Sequence, residues 1–372
     1  MTKIKDLKIA AYGPSMTGCD YYRIMLPMMY MRQHALCKDV VIYNAVSINS
    51  SIAHGDKSYL DEMAECDIIL AHYTTTPHML EDLQYLKSKG CKIIVDLDDL
   101  IDDLDDTNPA KARLYADDMK LIQSYFGFAK LADGIIVTTY ELKEAYKALN
   151  PNIHIVDNYI DFEMRNWTQH INIDKIIHIG WTGSTSHLED INIMGEAVRK
   201  VMKKYNNVVL ALFCDHITMT SMVCDHKLPT DRIVYIRPVD FSIYPTRLPE
   251  IDIGLAPIAD TPFNRSKSAL KVKEYCASSI PYIASNVNPY TRYCDHGYDG
   301  FLANNTDEWV KYMSMLIKDR TLYETMANNG YEKSAKYDMA NNIYRWTKAW
   351  EDICDGRQQE PEDTVWFKPV VK

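Results

Sequence analysis

Short apolar runs alternate with longer amphipathic stretches along the whole chain. Leu7–Tyr12 (LKIAAY), Val40–Asn44, Asp67–Ala71 (DIILA), Cys91–Leu97 (CKIIVDL), Ile135–Thr139 and Ile153–Val156 are almost wholly apolar. Continuous apolar runs of that length belong to strands covered on both faces, as parallel strands are. Between them, apolar positions recur at helical spacing over Tyr21–His34, Pro109–Leu131 and Tyr140–Leu149. After a polar linker at Phe162–His170 a second series begins. Its strands are Ile176–Gly180 (IIHIG), Val208–Phe213, Ile233–Ile236, Ile251–Pro257 and Ile280–Ala284. Its helices are Leu188–Tyr205, a run from about Ser268 to Ala277, Asp307–Lys318, Leu322–Tyr337 and Asn341–Cys354. Strands alternating with helices predict an α/β fold, here two Rossmann-like domains over 1–165 and 171–338, with a helix and tail over 339–372.

A length of 372 residues is long for one core and comfortable for two. The apolar fraction of 47% and charged fraction of 25% are those of an ordinary globular protein. No stretch approaches the apolar length of a membrane span, and polar Met1–Asp6 runs straight into a strand, so no signal peptide is expected. The nine cysteines are scattered without a framework, so reduced thiols and a cytoplasmic setting are expected. A formal net charge of −10 argues against a large duplex-binding surface, while leaving room for a local basic cleft. Abundant Tyr (26) and Met (18) with scarce Gly resemble the composition of proteins from large tailed bacterial viruses.

The chemistry concentrates in Ile251–Asn286, which reads strand, polar loop, cationic run, helix, strand. Arg265, Lys267, Lys271 and Lys273 cluster where the helix begins. Free N–H groups and the macrodipole at a helix N-terminus favour an anion, and cations there add charge. A lysine-rich helix face is often merely solvated. Here, however, Glu274 follows where a carboxylate would accept ribose hydroxyls behind a diphosphate. The loop Trp181–His187 contains Gly183 and Ser184, small residues whose amides suit an anion, but no Arg or Lys. Its charge must come from Arg265, Lys267 or Lys271. In the first half, His72 and the acidic cluster opening with Asp96, Asp98 and Asp99 stand at strand ends, where ligands collect in open α/β sheets. Tyr22 and Arg23 open the first helix beside them. Cys-Asp-His occurs three times, at Cys214, Cys224 and Cys294, with no zinc-site spacing.

Ser278-Ser279-Ile280-Pro281-Tyr282-Ile283-Ala284-Ser285 after Glu274 resembles the donor segment of family four of the retaining glycosyltransferases, which have the GT-B fold. That family carries two glutamates separated by seven residues; Glu274 matches the second, and Ser266 stands at the first. Lys267-Ser268-Ala269 replaces the family's Gly-aromatic-Gly. Asp157-Asn158-Tyr159-Ile160-Asp161 is similar to its interdomain exit, and Gly297–Leu302 to its Asn-Gly-Phe-Leu turn. The resemblance implies a nucleotide-diphosphate-sugar donor, no cofactor and no metal, and a last helix crossing back to the first domain. It implies that Arg265, Lys267 and Lys271 stabilise the leaving diphosphate, with His72 at the donor sugar. Gly183, Ser184, Ser268 and Glu274 would hold the nucleotide, and Tyr22, Arg23, Asp98 and Asp99 would face the acceptor. That acceptor would be a carbohydrate, a lipid-linked sugar or a hydroxymethylated base of viral DNA. Rival expectations are a nucleotide-sugar epimerase or phosphorylase, and a binding module that has lost catalysis. Oligomeric state is left open.

Overall fold

The computed structural model describes residues 1–14, 18–72, 78–104, 106, 108–116, 121–163, 167, 169, 175–184 and 187–360. The Val365-Trp366-Phe367 tail and the Thr185-Ser186 part of the small-residue loop lie outside them.

Among the described residues twelve strands form two six-stranded sheets. The first holds β1 (Lys8–Tyr12), β2 (Asp39–Tyr43), β3 (Ile68–His72), β4 (Lys92–Leu97), β5 (Gly134–Val137) and β6 (Ile153–Ile155), in the order β2-β1-β3-β4-β5-β6. The second holds β7 (Ile177–Thr182), β8 (Val208–Phe213), β9 (Ile233–Ile236), β10 (Ile253–Ala256), β11 (Tyr282–Ser285) and β12 (Gly300–Ala303), in the order β12-β11-β10-β7-β8-β9. Every pairing is parallel. β12 was expected as a turn. The turn is at Gly297, whose φ of +83° suits glycine, and the chain then pairs along the edge of β11.

Side chains alternate across each sheet, so one apolar run feeds two cores. In the first sheet Ala10, Tyr12, Ile93, Val95 and Leu97 join one cluster. Ile9, Ala11, Ile68, Leu70, Ile94 and Ile136 join the other. The second cluster is covered by Trp346, Trp350 and Ile353 of the last helix, Met339–Cys354. That helix starts beyond the second sheet and crosses back. Gly134 lets it approach: a Cβ there would lie 2.6 Å from Ile353.

Several polar helices escaped the periodicity, among them Ala45–Ala53, Met79–Ser88 and His216–Asp225. Two of them carry a cap as their signal: Asn44 accepts from Ser47 N and Asp215 from Thr218 N. Asp215 of the first Cys-Asp-His is therefore a helix cap, and Cys214 is a buried free thiol. The expected helix over 109–131 is described as Pro109–Leu114 and Leu121–Leu131. Among the described residues no helix is long and apolar enough to cross a membrane.

Candidate functional site

Residues from both halves of the chain meet at the boundary between the two sheets, with the helix Leu270–Ala277 on the second-sheet side of this cleft. Before that helix the expected polar loop contains a short turn, Pro262–Arg265, capped by Thr261 accepting from Asn264 N. The main helix starts at Leu270, after Ala269, a residue with no side-chain acceptor to cap it. Its first-turn N–H groups are thus left for an external anion. Lys271 lies over the Trp181 ring, 5.4 Å from its centroid, and donates to the Thr182 carbonyl and, at 3.2 Å, to the Thr182 hydroxyl. Burial and repulsion by Lys267, partly opposed by Glu274, bring Lys271 down to about 8. Lys267 rests on Phe263 at 4.4 Å.

Glu274 is 6% exposed. Its Oε1 accepts from Tyr22 at 2.8 Å and its Oε2 from Tyr244 at 3.1 Å. Burial lifts its carboxyl above the usual range against the opposing pull of Lys271 and the two phenols. Tyr22 comes from the first domain, so this carboxylate ties the two sides of the cleft together. Tyr21 stacks on Phe241 across the same gap, 5.0 Å between centroids and 15° between planes. Thr139 donates to Ser266 O at 2.7 Å, and Asn158 Nδ2 to Ser268 Oγ at 2.8 Å.

On the first-sheet side His72 ends β3, with Nδ1 2.7 Å from Asp20 and Nε2 3.0 Å from Asp98. Burial opposes its charge, but Asp98 and Asp20 outweigh burial and raise its pKa well above the ordinary value. The ring is clamped between two carboxylates, which favours its charged form. Asp98 is correspondingly pushed down: burial is overcome by the charge and hydrogen bond of His72 and the charge of Arg23. Asp99 is pushed up by burial and by Asp98. Ligand atoms of Cys19, Asp98 and Asp99 lie within 4.8 Å of one another.

No family model and no curated protein sequence matches the chain. Solved structures do. HepE from Anabaena, in complex with UDP-glucose, superposes with a TM-score of 0.67 at 12% identity, covering 93% of this chain and all of that one. Sucrose-phosphate synthase from Thermosynechococcus elongatus gives 0.65 at 12% identity, covering 94% and 99%. The pneumococcal O-GlcNAc transferase GtfA, with UDP and GlcNAc, gives 0.56 at 15%, covering 80% and 59%. The fold is GT-B.

Across the GT-B cleft the residues singled out from the sequence separate into two groups. Tyr22 and Glu274 bond across it, as do Asn158 and Ser268; Lys271 acts on Glu274, Lys267 on Asp99, and His72 holds Asp98. Arg265 does not join them: its guanidinium is half-exposed, with Nε on Asp260 at 2.6 Å. Arg23 is also elsewhere engaged. It is fully buried, paired twice with Asp96 at 2.9 and 2.8 Å, and donates to Val156 O and Asn158 Oδ1. A guanidinium with that many internal partners holds the cleft wall rather than an acceptor. Lys273, two residues from Lys271, points into the interior, 2.6 Å from Asp157. Gly183 has its N–H on Phe213 O at 3.0 Å, so that amide is occupied. Glycine is required there for another reason, since a Cβ would sit 2.3 Å from the Trp181 indole. Ser184 accepts from His187 N at 3.0 Å. Ser266 is buried, its hydroxyl turned back onto Pro262 O.

Sequence reasoning missed Tyr244 and Asp190, and it placed Asp20, Thr182 and His187 only as members of their loops, without the His187–Asp190 pair, whose Nδ1–Oδ2 distance is 2.7 Å. The pair had a signal, a histidine three residues before an aspartate at a helix start. Tyr244 had none, because only the fold carries its loop to Glu274.

Proposed function

We propose that the protein transfers a sugar from a nucleoside diphosphate donor to an acceptor hydroxyl, with 1–165 the acceptor side, 171–338 the donor side and 339–372 the returning strap. One observation carries this reading: two lysines and a buried glutamate meet at the uncapped start of a helix, at the carboxyl edge of a GT-B sheet. When the bond between the anomeric carbon and the diphosphate breaks, negative charge grows on the leaving oxygen. Lys271, Lys267 and the first-turn amides are placed to hold it, which is stabilisation by preorganised charge and needs no metal. The Glu274 carboxylate serves the ribose once Tyr22 or Tyr244 gives way. His72 keeps Asp98 ionised beside Asp99, and this acidic rim orients the acceptor hydroxyl.

Retention at the anomeric carbon follows from the family-four resemblance. The acceptor belongs to a glycan, a lipid-linked sugar or a hydroxymethylated DNA base, and a net charge of −10 favours the first two. A panel of nucleotide sugars, led by UDP-glucose because HepE holds it, tests the reading by nucleotide release with and without acceptors. Release from none of them refutes it. A second reading, a nucleotide-sugar-binding module without turnover, draws on Ser266, which puts no acid at the position of the first glutamate. Tight binding with no release or transfer selects that reading.

A further inference from the structure

We propose that His187, braced by Asp190, is a proton-linked member of the donor site, neutral when the site is empty and protonated when a diphosphate lies on Lys267 and Lys271. The inference rests on the donor-site reading above and adds a positioning residue that changes charge with occupancy.

Asp190 is fixed from three directions. Its Oδ2 accepts from His187 Nδ1 at 2.7 Å, and its Oδ1 from Ala259 N at 2.7 Å and Asn264 Nδ2 at 2.8 Å. Such a carboxylate is ionised and immobile, and it sets the tautomer: Nδ1 carries the hydrogen and Nε2 a lone pair. Nε2 has no hydrogen-bond partner among the described residues. The ring stands edge-on to Trp181, 6.3 Å between centroids, and Lys271 lies over that same indole. The charged groups acting on the imidazole are Asp190 from its own helix and Lys267 and Lys271 from the facing segment. Burial and then the charge of Lys267 hold His187 below its ordinary value, with Lys271 adding to them and Asp190 opposing.

A diphosphate reverses the sign of that environment. It neutralises the two ammonium groups and places an anion among them, so the cost of a third cation becomes a gain. One proton then moves from solvent to Nε2. It stays there while leaving-group charge develops and returns to solvent when the nucleotide departs.

The test is calorimetric titration with UDP-, ADP-, GDP- and dTDP-glucose in buffers of different ionisation enthalpy. Their diester phosphates have no proton to exchange near neutrality. Net proton uptake is expected to grow as the pH falls from about 7.5 toward 6, and to vanish in His187→Gln. Uptake by Lys271 has the opposite trend and grows above pH 8. Donor binding with no uptake below neutrality, or uptake unchanged in His187→Gln, overturns this proposal and leaves the donor-site reading standing. Failure of all four donors to bind overturns both. A ligand-free check is the imidazole NMR titration of Lys267→Gln, where the His187 pKa should rise toward its ordinary value. An unmoved value counts against the proposal even if the calorimetry is favourable.

Discussion

Replacing Lys271 with methionine removes the cation nearest the Trp181–Thr182 corner while keeping most of the buried stem. A diphosphate oxygen about 4 Å from the ammonium gains ~4 kcal/mol at an effective dielectric near 20. The part of that attraction present before bond breaking appears in donor affinity, and the part that grows during it appears in kcat. Loss of one preorganised donor in a sheltered site costs about 10²–10³ in kcat. Lys271→Met is therefore expected to lower kcat/KM by at least that factor, read by coupled nucleotide release. Stability should change little, since Glu274 keeps both tyrosine hydroxyls. A pH series sharpens the test. Lys271 titrates at about 8 in the empty protein, and only its charged form attracts the donor. Above that value affinity should fall about tenfold per pH unit, a slope separate from the His187-linked change below neutrality. In Lys271→Met the fall should disappear. Turnover within about threefold of the parent, or the same slope above pH 8, would refute electrostatic stabilisation by this residue, given the 10²–10³ expected.

Three further outcomes follow from the geometry. Arg23→Met strands the buried Asp96 carboxylate at a cost of about 3–5 kcal/mol, or ~6–20 °C in the melting of the first domain. The partnerless carboxyl has a raised folded-state pKa, so this loss should be least in acid and grow as pH rises through that value, and adding Asp96→Leu should recover most of it. Tyr22→Phe releases Glu274 from its cross-cleft hydrogen bond, worth about 1.5–3 kcal/mol for a charged acceptor; nucleotide affinity should tighten by up to roughly tenfold, and weaker binding would show that the phenol supports the ribose site instead. Arg265→Ala removes only an exposed pair with Asp260, so stability should move by less than about 1 kcal/mol and nucleotide release should be unchanged.

Taken by itself, the sequence determined the layered α/β architecture and most of the strand positions. Buried parallel strands must be apolar throughout, and Val208–Phe213 needs no partner to declare itself. It also placed the basic run and Glu274 in one segment. It left β12 unrecognised, because a short edge strand after a glycine turn has the same local composition as the turn. Only tertiary structure decided what the cations do. Lys271 and Lys273 are two positions apart, so a helix turns them to different sides. One side faces the cleft, and the other meets Asp157 in the interior. Tyr22 and Glu274 are separated by 252 positions and meet at 2.8 Å. Arg23 was spent on Asp96 and Asn158 for the same reason. A side chain's reach is local, whereas its partner is chosen by which strand ends the folded sheets bring face to face.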